Sequence, residues 1–257
     1  MSPSSETVLL SIDGPVAVVS LNRPDRHNAF NDEMDARFFE VLGEVAARDD
    51  VRCVVWRGEG ASFSSGRDTK ELGLRADGET DLEFIEAGHE KTKVLWEMPV
   101  PIVVALKGWV IGGSFERALL CDIRVAAEDA RMTLPETAHG VIPDSGGVAR
   151  LFQMCGHGVA ADMALTGRVM DADEALRHGV VSRVVPTESL DEEMLSLAHE
   201  IAKRPRLAVK MVRATISSLG VPAVERSMYE EKLEQTVVMS SEEYRRQRDA
   251  RLEGRNG

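Results

Sequence analysis

The residues best placed to do chemistry begin with Glu116, in the stretch KGWVIGGSFERALLCDIRV (residues 107–125). An apolar run, PIVVAL, leads into that stretch and suits a short buried strand. Gly112 and Gly113 follow, and then a short apolar segment with Glu116 inside it. A glycine pair before a helix lets another molecule approach the backbone closely. The first turn of the helix offers free N–H groups at the positive end of its dipole. Such a corner stabilises a developing negative oxygen, and Glu116, three residues after Gly113, faces much the same place. The alternative is a glycine turn with Glu116 as an ordinary first-turn acid.

A second corner of the same kind lies in GEGASFSSGRDTKEL (residues 58–72). Gly66 permits a sharp turn there, and Asp68 caps a helix expected from about Thr69. Two corners supply two backbone N–H donors to one oxygen, the minimum for an oxyanion hole. Two further acids follow in ARMTLPETAHGVIPDSGGVARL (residues 130–151). Pro135 places Glu136 on a turn, and Asp144 precedes a helix that it is suited to cap. Glu136 equally suits a surface loop, and His139 is given no role.

The elements that must position these groups alternate between strand and helix. Residues 7–12 and 16–22 read as a hairpin about Asp13-Gly14. Asn31 or Asp32 caps a helix in which Met34, Phe38, Val41, Leu42 and Val45 recur at helical spacing. Apolar runs at 51–56, 101–106 and 122–127 alternate with longer helical segments, which predicts an α/β fold with a largely parallel core. Residues 73–83 read as a polar loop and 84–96 as a helix. Beyond residue 151 the chain reads as helices at 160–165, 172–177, 188–202, 205–218 and 221–238, with a strand at 180–185 and a C-cap at Gly179. The charged segment 240–257 is expected to fray at its end.

Composition excludes several classes. The chain has 257 residues with 43% apolar, enough for one large core and too many for disorder. A net charge of −12 argues against a nucleic-acid groove. Cys53, Cys121 and Cys155 have no metal-ligand spacing, and three cysteines do not make a disulfide framework. No GxGxxG follows a strand and no GxxxxGK[ST] is present. The N-terminus lacks a leader pattern and no apolar run approaches a membrane span, so a soluble, cytoplasmic protein with no membrane partner is expected.

Four stretches together resemble the crotonase, or enoyl-CoA hydratase/isomerase, superfamily: LNRPDRHNAFN, FSSGRDTKEL, WVIGGSFERALLCDIRVA and LPETAHGVIPDSGGVARL. The resemblance covers nearly the whole chain. It implies a spiral of ββα units over residues 1–200 and a C-terminal helical trimerisation or lid segment over 201–257. It further implies a homotrimer, or a hexamer of paired trimers. The substrate it implies is an acyl-CoA thioester, with no cofactor and no metal. By the same resemblance the oxyanion donors are expected to be the N–H groups of Arg67 and Gly113, and Glu116 and Glu136 stand at the positions of the two hydratase acids. Coenzyme A is expected at Arg26, Ala29, Ser65, Arg67, Asp68 and Lys70, with Arg26 and Lys70 toward its phosphates.

The chain departs from the hydratase pattern at four places. Ser114 replaces a third glycine. Arg67 replaces a small residue, so its side chain must point away from the acyl group or narrow the pocket. Asp144 stands where hydratases carry glycine and resembles the third acid of dienoyl-CoA isomerases. The segment after Ser241 keeps Arg245, Arg246 and Arg248 and reads as lacking the family's closing aromatic. Hydration of a trans-2-enoyl-CoA is the leading expectation, followed by dienoyl- or enoyl-CoA isomerisation through Glu136 or Asp144. A silent acyl-CoA binder ranks last.

Overall fold

A computed structural model describes residues 6–72, 74 and 78–253. The chain runs β1 (Val8–Asp13), β2 (Val16–Leu21), α1 (Asp32–Ala46), β3 (Cys53–Gly58), α2 (Asp81–Glu97), β4 (Ile102–Leu106), β5 (Trp109–Ile111) and α3 (Gly113–Leu120). It continues with β6 (Ile123–Ala127), β7 (Arg131–Thr133), α4 (Gly147–Thr166), β8 (Met170–Asp171), α5 (Ala172–Arg177), β9 (Arg183–Val185), α6 (Leu190–Ala202), α7 (Arg206–Ser240) and α8 (Glu242–Glu253).

Six strands form one sheet in the order β1-β2-β3-β4-β6-β9, parallel except for the β1–β2 hairpin. Its central strands are buried on both faces, which is why they read as continuous apolar runs rather than alternating ones. One face carries Val19, Val54 and Trp56 toward α1, where Phe38 lies 4.6 Å and Phe63 4.9 Å from the Trp56 ring. The other carries Val18, Val55 and Val103 beneath Leu190, Met194 and Ala198 of α6. A smaller sheet, β5-β7-β8, lies alongside. The chain passes from large sheet to small and then into a helix in β4–β5–α3 and again in β6–β7–α4, so the ββα unit repeats as the resemblance implies. The single bridge Ser64↔Val110 gives β3 the same relation to the small sheet.

Several boundaries differ from the sequence expectation. No helix starts at Thr69; residues 69–72 form turns, and Asp68 Oδ1 accepts the Lys70 N–H at 3.1 Å while Oδ2 takes Arg23 at 3.2 Å. The expected loop at 73–83 lies partly outside the described residues. Its last three residues are helical because Thr80 and Glu83 make a reciprocal capping box. The helix at 160–165 is the end of α4, which kinks at Gly156, where φ is 75°. The 205–218 and 221–238 helices are one 35-residue helix that runs through Gly220 and Pro222. This stretch packs against α4: Gln153 Nε2 donates to the Gly220 carbonyl at 3.0 Å, and α7 adds Val224 and Met228 to the main core. The segment after Ser241 is helical, and it does hold an aromatic: Tyr244 is 2% exposed and packs with Ile85, Val141 and Met239.

By length and composition alone, α7 is apolar enough to cross a membrane: one 18-residue window has a mean hydropathy of 1.3 and is 17% buried. Its Arg213, however, is bonded to the core, with Nε 2.8 Å from Asp122 Oδ1 and Nη2 3.0 Å from the Leu95 carbonyl.

Candidate active site

The two glycine corners are brought side by side by one residue. Ser64 N donates to the Trp109 carbonyl and Ile111 N to the Ser64 carbonyl, both at 3.0 Å, so the first corner rides on the edge of β5. Gly66 is required twice over. Its φ is 83°, and a Cβ there would lie 2.7 Å from the Ile111 carbonyl oxygen. At the second corner Gly112 has φ 59° and donates its N–H to the Thr133 carbonyl at 2.9 Å. Ser114, in place of a third glycine, turns its hydroxyl back to the Ile111 carbonyl at 2.7 Å and so ties the start of α3 to β5. The Phe30↔Arg67 bridge uses the N–H groups of Phe30 and Asp68 and spares that of Arg67. Among the described residues, neither the Arg67 nor the Gly113 N–H donates to a protein acceptor, and both residues line one cleft of about 640 Å³.

The cleft also holds Glu116, Glu136 and Asp144. Glu116 is 1% exposed on the first turn of α3. Its Oε2 accepts the N–H groups of Ser145 at 3.1 Å and Gly147 at 3.0 Å, so this carboxylate answers the orphan donors that open α4. Gly147 is glycine because a Cβ there would lie 2.4 Å from Glu116 Cγ. Burial first, then the neighbouring charges of Glu136, Glu231 and Asp144, hold the Glu116 carboxyl well above the usual carboxylate range. Glu136 starts a short turn of 3₁₀ helix after Pro135. Its Oε1 would sit 2.6 Å from a Cβ on Gly112, so its carboxyl rests on the second corner. Burial is the main cause that pushes Glu136 up to about 7, with Asp144 adding to it.

Asp144 does not cap α4. The cap position is Gly146, with no side-chain cap bond, and Glu116 does that work. The Asp144 carbonyl is held by His89 Nε2 of α2, and its side chain lines the cleft.

A fourth acid was not singled out from the sequence. Glu231 of α7 is 6% exposed; its Oε2 accepts the Gly146 N–H at 2.9 Å, and Ser227 donates to its Oε1 at 2.6 Å. Burial pushes Glu231 up to about 7. Its signal is an acid on a buried stripe, since Val224, Met228, Glu231, Gln235 and Met239 recur at spacings of three and four. Asp35, Lys91 and Arg117 also line the cleft, and their spacing carried no signal because they come from three helices.

A second cleft, of about 470 Å³, is lined by Arg26, Ala29, Ser65, Arg67, Asp68 and Lys70 together with Arg23. The structure thus brings every residue expected to hold coenzyme A to one place. The loop that presents them is pinned by Asn28, which is fully buried at φ 53° and donates Nδ2 to the carbonyls of Glu59 and Ser62, both at 2.8 Å. Arg67 lies on both clefts. Its guanidinium binds Asp32, approaches Glu71 Oε2 at 3.7 Å and lies 5.9 Å from the Phe84 ring centre, so it spans from α1 to α2.

Comparison with known proteins shows the family. The family described as Enoyl-CoA hydratase/isomerase matches residues 11–256. A probable enoyl-CoA hydratase, echA8, of Mycobacterium bovis is 33% identical over 233 residues, which cover 89% of this chain and 88% of the relative. A carnitinyl-CoA dehydratase of Salmonella typhimurium is 37% identical over 227 residues, covering 86% and 84%. The crystal structure of an enoyl-CoA hydratase/isomerase from Pseudoalteromonas atlantica superposes with a TM-score of 0.85 at 28% identity, over 96% of this chain and 97% of that one. The chain therefore belongs to the enoyl-CoA hydratase/isomerase family, the crotonase superfamily.

Proposed function

We propose that this protein adds water across trans-2-enoyl-CoA thioesters to give 3-hydroxyacyl-CoA. The observation that carries the reading is that Glu116 and Glu136 line the same cleft as the two unanswered N–H groups of Arg67 and Gly113. The thioester oxygen is received by those two donors. Attack of water at the β-carbon places negative charge on that oxygen, and each good donor lowers the barrier by about 3 kcal/mol. Glu116 and Glu136 share the proton work: one takes a proton from water, the other delivers one to the α-carbon. Both acids are pushed up by burial, so the pair retains a proton to deliver near neutral pH. The nucleotide end of coenzyme A lies in the second cleft, where Arg26 and Lys70 meet its phosphates. No cofactor or metal enters these steps.

The oligomer belongs to the same proposal. Val212, Ile216 and Leu219 of α7, at spacings of four and three, are exposed and form an apolar stripe suited to a homotrimer, or to trimers paired into a hexamer, in the cytoplasm. A second reading, isomerisation of an enoyl- or dienoyl-CoA, is favoured by one observation: Asp144 lines the cleft and is not spent on capping α4.

The test is the ultraviolet absorbance of a short trans-2-enoyl-CoA mixed with the protein, since the conjugated thioester absorbs and the hydrated product does not. Decay that disappears in Glu136→Gln is expected. Persistent absorbance with the wild-type protein, together with turnover of a dienoyl-CoA that Asp144→Ala abolishes, would replace hydration with isomerisation.

A further inference from the structure

One wall of the cleft that holds the candidate acids is charged. Arg117 follows Glu116 on α3, Asp35 comes from the first turn of α1 and Lys91 from α2. All three line the cleft that holds Glu116, Glu136 and Gly113. Arg117 Nη1 donates to Asp35 Oδ1 at 2.7 Å, and Lys91 Nζ to Asp35 Oδ2 at 3.3 Å. The Arg117 and Asp35 side chains are each only 14% exposed. The guanidinium rests against Phe30 and Phe39, 5.3 and 5.0 Å from the ring centres.

One carboxylate here answers two cations. Arg117 Nε is buried with no hydrogen-bond partner among the described residues, and Nη2 donates to no acceptor among them. A tie between helices needs one acid for one base. Asp32, which lines the same cleft, is already bound to Arg67. Within this cluster of three the cations outnumber the acid by one, and Arg117 Nη2 and the half-exposed Lys91 ammonium keep donors to spare on the cleft wall.

We infer that Arg117 and Lys91 recognise a carboxylate at the distal end of the acyl group, so that the substrate class is a short 2-enoyl-CoA bearing a terminal carboxyl. The inference rests on the acyl-CoA reading above. Arg117 supplies its uncommitted Nη2, and Lys91, half exposed at the cleft, supplies a mobile point charge. The tail is short because Glu116 and Arg117, which point to different sides of α3, line one cleft of about 640 Å³. A quaternary ammonium tail would meet two cations and a carboxylate already engaged by both.

The test is calorimetric binding of two unreactive thioesters, butyryl-CoA and glutaryl-CoA, which differ by a terminal carboxyl. Glutaryl-CoA is expected to bind at least about tenfold tighter at low salt, the size of one charge-assisted hydrogen bond. The preference is expected to collapse in Lys91→Met and in the double variant Asp35→Asn/Arg117→Gln. The double variant leaves no unpaired buried charge, and Lys91→Met keeps the Arg117–Asp35 pair, so both keep the fold. Equal affinities, or tighter binding of butyryl-CoA, overturn the proposal. So do variants that lose thermal stability yet keep the wild-type preference, and so does a trimethylammonium-bearing acyl-CoA that outcompetes glutaryl-CoA. Hydration of crotonyl-CoA with no discrimination between the two thioesters sinks this inference alone. Discrimination with no hydration of crotonyl- or glutaconyl-CoA sinks the hydratase reading alone.

Discussion

Glu116 and Arg117 are neighbours on α3, yet they belong to clusters built on opposite electrostatic plans. Glu116 lies among three other acids, Glu136, Asp144 and Glu231, and what answers its carboxylate is backbone N–H. Arg117 lies with Lys91 about a single acid, Asp35. Burial raises the carboxyl group in both places. In the first cluster like charges add to that rise. In the second, Arg117 and Lys91 outweigh it and hold Asp35 below its usual range. Burial among like charges keeps protons available near neutral pH, which suits proton transfer; burial among opposite charges keeps charges fixed, which suits recognition.

The strongest way to break the first plan is to remove its protons. Glu116→Gln and Glu136→Gln are each expected to cost about 10²–10⁴ in kcat, read from the decay of enoyl absorbance, while acyl-CoA binding persists. A rate near wild type in either variant takes that residue out of the chemistry. Displacing a carboxyl rather than neutralising it comes next. In Gly112→Ala the new Cβ lies 2.6 Å from Glu136 Oε1 at a backbone φ of 59°, so Glu136 must move. Misplacement by an ångström costs about a hundredfold in kcat, with a lower thermal midpoint as the structural readout.

Glu231 tests whether the acidic cluster stores its protons as the geometry requires. Its carboxyl is raised to about 7 from an ordinary value of 4.5, so the folded state binds a proton that the unfolded state has lost. That contribution is complete below about pH 4.5 and is lost as the pH rises through 7. Glu231→Gln still offers Gly146 an amide oxygen but does not titrate. Between pH 5 and 8 the wild type is expected to lose roughly 2 kcal/mol relative to the variant, as read from urea midpoints. Parallel curves would mean that Glu231 is ionised throughout. The smallest effect is expected from Asp144→Asn. Removing that charge relieves Glu136 and Glu116, and the limb of the kcat/KM profile set by Glu136 is expected to move down by up to about one pH unit. A limb that stays in place would mean that solvent screens Asp144 from both glutamates.

Much of the site was legible because its parts are local. The glycines at 66, 112 and 113, the apolar runs that became β3, β4 and β6, and the acids at 116, 136 and 144 all lie in short stretches whose own pattern sets strand, turn or helix. The misses are tertiary. Asp144 reads as a cap, but Glu116, 31 residues before Gly147, takes that place. Asp68 reads as a helix cap, but its carboxylate is divided between Arg23 and the Lys70 N–H, and turns follow it. The chain reads as two helices separated at 219–220, but those residues are helical and the Gly220 carbonyl accepts Gln153 Nε2 of α4.

The sequence by itself determined where the backbone can turn sharply, which runs are buried strands, and that several acids stand close to glycine corners. These follow from φ restrictions, side-chain period and composition, which act over a few residues. The tertiary structure alone decided that Ser64 would bridge to Val110 and set the two corners together, that Glu231 would reach Gly146 across 85 residues, and that Arg117 would find Asp35 across 82. Such contacts depend on how whole helices pack against the sheets, and no local spacing encodes which buried polar groups the packing will bring face to face.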